Sequence, residues 1–224
     1  MNLASPLSYV SPWVYPPIAA GNRLLQRAFF GPLTVRGREH LPLNGPAVLA
    51  IKHYSRWDPL AIAQLQPKAI RFMTNANQFG GIQGWIIRRL GSFPVDLARP
   101  QKSSIKHAIE LLHQGEILGI FPEGGIVRDR PLRSLKPGFA RLILQAEATA
   151  ARPLAIPITP IALRYQPEAQ RGAAVYIDIS PAFSSRDFEA SSDKARAAQM
   201  TQHLEKVLRD RLEALRVLAG AQKQ

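Results

Sequence analysis

The 224-residue chain contains no cysteine, which excludes disulfides, thiolate metal centres, a cysteine nucleophile and sulfur redox chemistry. Acidic residues are scarce. Against 29 Lys and Arg stand 16 Asp and Glu, a formal charge of +13. Such a surplus fits a polyanionic partner, either nucleic acid or anionic headgroups, or serves solubility alone. The five histidines, at 40, 53, 107, 113 and 203, show none of the paired spacings of a metal site, so no metal is expected. Repeats and low-complexity tracts are missing, which removes collagenous and coiled-coil architectures. What remains is a chain that is 46% apolar and long enough for one domain around a single sizeable core.

Charge is also absent from Met1 to Asn22, yet Pro6, Pro12, Pro16 and Pro17 interrupt that stretch. A membrane-spanning helix needs about 20 mostly apolar residues with an unbroken hydrogen-bond ladder. No Lys or Arg precedes the apolar residues, so neither a transmembrane helix nor a signal peptide is expected. Tyr9, Trp13 and Tyr15 followed by Arg23 and Arg27 are residue types that settle at a headgroup boundary. Residues 1–30 therefore read either as an interfacial, membrane-proximal segment or as a loose terminus packing aromatics on its own domain.

Beyond Gly31, short apolar runs alternate with helical patterns, the signature of an α/β domain. Strands are expected at 47–52, 70–74, 92–95, 117–121, 154–163 and 174–179. Several are continuous apolar runs, as in strands buried on both faces, so the fold reads as a mixed, mostly parallel central sheet flanked by helices. Helices are expected at 58–66, 103–114, 139–148 and 193–218. Phe79, Ile82, Trp85, Ile86 and Leu90 also recur at helical spacing beside Arg88 and Arg89, fitting an interfacial helix or one packed on the sheet with two solvated arginines.

Two strand ends carry polar residues. The run Ala47–Lys52 ends at His53-Tyr-Ser-Arg-Trp-Asp58-Pro59. Residues five apart point about 140° away from each other on a continuous helix. His53 and Asp58 can meet only across a turn, which Pro59 at a first helical position favours. Asp58 could then hold one ring nitrogen of His53 and leave the other as a base for a hydroxyl. The bland alternative is an Asp58 that caps its helix beside an unrelated histidine. The run Ile117–Phe121 likewise ends at Phe-Pro-Glu123-Gly124-Gly125. A carboxylate beside glycine amides suits orienting a substrate hydroxyl or holding an oxyanion. Ser55 lacks the glycine-flanked turn of a serine nucleophile.

With these blocks in order, the sequence resembles the glycerophospholipid acyltransferase superfamily, which contains the 1-acylglycerol-3-phosphate (lysophosphatidic acid) acyltransferases. His53 and Asp58 match its His-x4-Asp block, and Phe121 to Gly124 match its Phe-Pro-Glu-Gly block. Phe79 to Asp96 is similar to the segment leading into its second block. Lys136, Gly138 and Ala140 match its Lys-x-Gly-x-Ala pattern, and Leu154 to Leu163 its fourth, proline-containing block. About half the chain is covered.

The resemblance implies an acyltransferase domain over 31–224 and a peripheral protein on the cytoplasmic side of a membrane, meeting an anionic surface. It implies acyl transfer from acyl-CoA or acyl-carrier protein to a lipid hydroxyl, foremost that of 1-acylglycerol-3-phosphate, with His53 as base, Asp58 orienting it, and no cofactor. Substrate contacts are expected from Glu123, Gly124, Gly125, Arg99, Arg128 and Lys136. Two positions depart from the pattern of members that use phosphate-bearing acceptors. Leu97 and Ile126 stand where arginines are usual, and neither offers a donor to phosphate. Either Arg99 and Arg128 take over, or the acceptor is a non-phosphate lipid hydroxyl, such as a glycolipid, a diacylglycerol or a prenylquinol. A non-catalytic basic binding protein rests on charge alone. No RNA- or DNA-reading module is recognisable, so no nucleic acid is expected.

Overall fold

A computed structural model of the chain describes residues 8–96 and 101–221. Seven strands form one sheet in the order β1-β7-β6-β2-β5-β3-β4. They are β1 Leu33–Arg36, β2 Ala47–Ile51, β3 Ile70–Asn75, β4 Phe93–Val95, β5 Ile117–Ile120, β6 Ile158–Gln166 and β7 Ala174–Ile179. All pairings are parallel except β6 with β7. The α/β reading with a mostly parallel sheet therefore holds.

Helices cover both faces: α1 Tyr15–Phe29, α2 Asp58–Ala63, α3 Gly81–Arg89, α4 Lys102–His113, α5 Gly138–Ala148 and α6 Asp193–Ala221. Every β2 residue is buried. Val48 and Ala50 face a core shared with α4, α5 and α6, whereas Ala47, Leu49 and Ile51 face a second core shared with Ala61, Ile62 and Phe30. Period-two alternation between two covered faces is why this strand is continuously apolar. Helix α6 buries Leu204, Leu208, Leu212 and Leu215, a spacing of three and four that makes one stripe of a helix about 43 Å long.

The structure corrects several sequence boundaries. The run expected as a strand from Leu154 begins its pairing only at Ile158, because Pro157 has no N–H to donate and serves the sheet through its carbonyl, which accepts from Val48 N at 2.9 Å. The strand then continues to Gln166. Helix α2 stops at Ala63, ahead of Pro67, which disfavours helical geometry in the residue before it. Strand β1 and helix α1 carried too little pattern to be expected. In α1, Pro16 and Pro17 occupy the first turn, where the missing N–H costs nothing, so the prolines that argue against a membrane span start a helix instead. Its burial is inverted: Asn22 and Gln26 face the protein, with Asn22 Nδ2 donating to Leu60 O at 2.9 Å, while Leu24 is 71% exposed.

No helix among the described residues is long and apolar enough to cross a membrane.

Candidate active site

Strands β2 and β5 are parallel neighbours in register, with Ala50 opposite Ile120. Their carboxyl ends therefore deliver both polar blocks to one edge of the sheet, the edge where open α/β sheets place ligands. The chain leaves β2 through Lys52 and His53, turns over Ser55 to Trp57, and enters α2 at Asp58. Trp57 stands at the cap position and caps no backbone group. Asp58 instead reaches back. Its Oδ2 lies 2.9 Å from His53 Nδ1 and accepts from Tyr54 N at 2.6 Å and Ser55 N at 2.8 Å. Its Oδ1 accepts from the Tyr165 hydroxyl at 3.0 Å. The expected turn thus brings the pair together. A carboxylate can only accept, so Nδ1 carries the hydrogen and Nε2 presents its lone pair.

Asp58 is fully buried, whereas the His53 side chain is 16% exposed. The imidazole stacks on Phe121, with centroids 4.0 Å apart, and Phe121 in turn stacks on Phe72. Nε2 makes no hydrogen bond with the described residues. The histidine is therefore held on one side by a carboxylate and on a face by an aromatic ring, with its basic nitrogen available. Burial, together with the neighbouring Asp58 charge, pushes the Tyr165 phenol far above its ordinary value, so it is a hydrogen-bond donor at any working pH.

Glu123 stands between the two motif loops. It is fully buried, and both carboxylate oxygens are taken. Lys52 Nζ donates to Oε1 and Oε2 at 2.9 and 3.0 Å, His53 N to Oε1 at 2.9 Å, and Arg133 N to Oε2 at 3.0 Å. Lys52 Nζ also donates to Val127 O and His53 O. Glu123 thereby ties the two motif loops together. Burial pulls the Lys52 ammonium below its usual value, and the bonds to Glu123 oppose that pull.

The glycines that follow shape the second loop. Gly124 has φ +71°, and a Cβ there would sit 3.0 Å from Lys136 Nζ, so the lysine side chain runs alongside this glycine. Its N–H is spent on Phe121 O. Gly125 N and Ile126 N make no hydrogen bond with the described residues, and Val127 N donates to His53 O at 2.9 Å, which fixes this stretch against the histidine. Lys136 is exposed, and its N donates to Pro122 O. Arg128 is exposed, with Nε donating to Tyr54 O at 3.1 Å and its guanidinium 5.8 Å from the Tyr54 ring centre. Ile126 is 38% exposed. Arg99 and Leu97 lie outside the described residues. No cluster of His, Asp and Glu among the described residues could hold a metal ion.

Sequence reasoning missed Lys52 and Tyr165. A lysine closing an otherwise apolar run was a visible irregularity for Lys52. Nothing local marks Tyr165, 107 positions from its partner Asp58.

A family model described as Acyltransferase matches residues 32–164, more than half of the chain and all of the site just described except Tyr165. The chain belongs to the acyltransferase family. As a member it is an O-acyltransferase. This acyltransferase is 30% identical over 189 residues to 1-acyl-sn-glycerol-3-phosphate acyltransferase of Bacillus subtilis (strain 168), a match spanning 80% of the chain and 88% of the relative. It is 38% identical over 80 residues to the enzyme of the same name from Streptococcus pneumoniae (strain ATCC BAA-255 / R6), covering 34% of the chain and 30% of that relative. Among solved structures, the 1-acyl-sn-glycerophosphate (LPA) acyltransferase PlsC from Thermotoga maritima has the same fold. The TM-score is 0.72 at 19% identity, over 91% of this chain and 80% of that one.

Proposed function

We propose that this acyltransferase moves a fatty acyl group from a thioester, acyl-CoA or acyl-carrier protein, to the free hydroxyl of 1-acylglycerol-3-phosphate. The observation that carries the reading is the His53–Asp58 pair, with Nδ1 anchored at 2.9 Å and Nε2 open at the sheet edge. The names of the relatives supply the acceptor. His53 Nε2 takes the hydroxyl proton as the oxygen attacks the thioester carbonyl carbon. A C–O bond forms, and the carbonyl oxygen becomes an oxyanion facing the amides of Gly125 and Ile126. Collapse breaks the C–S bond, and the leaving sulfur takes the proton back from His53. No covalent enzyme intermediate is needed.

The chain meets its lipid acceptor as a peripheral protein on the cytoplasmic side of a membrane. The support is the outward face of α1, of the turn before it and of α3: Trp13 in that turn is 86% exposed, Ile82 80%, Leu24 71% and Trp85 50%. Arg89 stacks over Trp85, 3.8 Å from the ring centre, so cationic and apolar groups share this surface as at a headgroup boundary.

The test is transfer from labelled palmitoyl-CoA and palmitoyl-acyl-carrier protein to lysophosphatidic acid and to a total lipid extract, in wild type and His53→Ala. His53-dependent product on lysophosphatidic acid is the expected result. His53-dependent product from the extract alone transfers the same chemistry to a non-phosphate acceptor, the reading favoured by Leu97 and Ile126. Equal product with His53→Ala refutes the mechanism.

A further inference from the structure

Beside the catalytic loop, on the flank of β6, lies a groove of about 580 Å³. It is bounded by Tyr54 and the Arg128–Pro131 loop on one side, by the end of β6 and by α6 on the others. The opposite flank of His53, toward β3, is aromatic and apolar, carrying Phe121 and Phe72. The groove is cationic on balance: Arg128, Arg130, Arg164, Arg209 and Arg216 line it against Asp129, Asp210 and Glu213.

Most of that charge is already spent within the protein. Arg130 pairs with Asp129 at 2.7 Å, Arg209 with Glu205 at 2.7 Å and Arg216 with Glu213 at 2.7 Å, while Asp210 takes Lys206. Lys52, at the floor, is committed to Glu123. Among the described residues no carboxylate comes within ion-pair distance of Arg128 or Arg164. Within the described residues Arg128 donates only to Tyr54 O, and Arg164 Nη2 donates to Gln166 Oε1 at 3.2 Å. Arg164 Nε is buried without an acceptor. A buried donor left unmatched is unfavourable, and swinging the guanidinium into the groove toward an oxyanion would satisfy Nε and Nη2 together.

We infer that this groove binds a phosphate group of a substrate through Arg128 and Arg164, in place of the arginines that positions 97 and 126 lack. Two guanidiniums, each able to donate two parallel hydrogen bonds, match a phosphomonoester or a diphosphate. Tyr54 is the residue after His53, so an anion seated here lies next to the catalytic loop. The same chemistry could come from the phosphates of a CoA donor or from the phosphomonoester of the acceptor. The inference rests on the proposed function for what the phosphate belongs to, but not for the binding itself.

Calorimetric titration with CoA and, separately, with sn-glycerol 3-phosphate tests it without turnover, in wild type, Arg128→Gln/Arg164→Gln and Arg152→Gln. Arg152 lies in the exposed turn before β6, and its variant controls for net charge. His53→Ala, titrated alongside, separates binding from the catalytic reading. The expected result is a roughly 10- to 100-fold weakening of one probe in the double variant, with Arg152→Gln and His53→Ala binding like wild type. Weakening of CoA assigns the donor phosphates, and weakening of glycerol 3-phosphate assigns the acceptor. Equal binding of both probes by wild type and the double variant, or no binding of either to wild type at millimolar concentration, overturns the inference. Should replacing Arg164 unfold the chain, Arg128→Gln alone, in an exposed loop, carries the same comparison.

Discussion

Replacing Lys52 by Met isolates the buried ion pair on which both motif loops hang. Lys52 is 2% exposed and Glu123 is fully buried, and Nζ makes four contacts: both Glu123 oxygens, Val127 O and His53 O. Methionine keeps most of the volume but removes the charge and all four contacts. Glu123 then keeps His53 N and Arg133 N as donors, with no counter-charge in a dry site. Breaking one side of a buried pair costs about 3–5 kcal/mol, and the two surviving donors put this site near the lower end, about 3 kcal/mol. In a chain of this length each kcal/mol moves the melting temperature by roughly 2–4 °C, so the loss is about 6–12 °C. Urea and thermal unfolding followed by circular dichroism measure it. Lys52→Met/Glu123→Gln leaves neither charge unpaired and is expected to lose less than the sum of the two single variants by 1 kcal/mol or more. Turnover falls as well, because both the N–H and the carbonyl of His53 are anchored by this pair. A Lys52→Met protein within 1 kcal/mol of wild type and with full turnover would refute the view that the pair positions the histidine.

Two other perturbations follow from the same geometry. Asp58→Asn removes the charged acceptor from His53 Nδ1 and is expected to lower kcat on the order of 10⁴-fold. Tyr165→Phe removes one of four donors to Asp58, a bond of about 1.5–3 kcal/mol, and is expected to lower kcat roughly 10-fold while KM stays unchanged; an unaltered kcat in Tyr165→Phe sinks the positioning role. A third concerns pH. Burial and the neighbouring Arg71 hold His107 below its ordinary 6.5, against an opposing pull from Glu110. The unfolded chain then binds more protons than the folded one just below pH 6.5, so stability is full above that pH and declines as it falls. His107→Gln is expected to flatten this slope in unfolding curves between pH 7 and 5.5, and an unchanged slope would assign the acid sensitivity elsewhere.

The sequence alone was enough for the class of fold, the parallel core strands and the identity of the catalytic candidates, because those features rest on local pattern. A strand covered on both faces must be apolar throughout, as 47–51 and 117–120 are. A His-x4-Asp spacing broken by Pro59 contains its own turn. Tertiary structure decided everything that depends on neighbours distant in the chain. It gave Glu123 to Lys52, 71 positions away. It brought Tyr165 under Asp58 and gathered Arg128, Arg164, Arg209 and Arg216 around one groove. It also turned α1 with its leucines outward, which composition could not reveal, since the same residues would read as core in a helix facing the other way. Local pattern fixes which backbone conformation a segment adopts. Which carboxylate is neutralised, which cation stays uncompensated and which face of a helix is left bare depend on the register of one packed sheet against its helices.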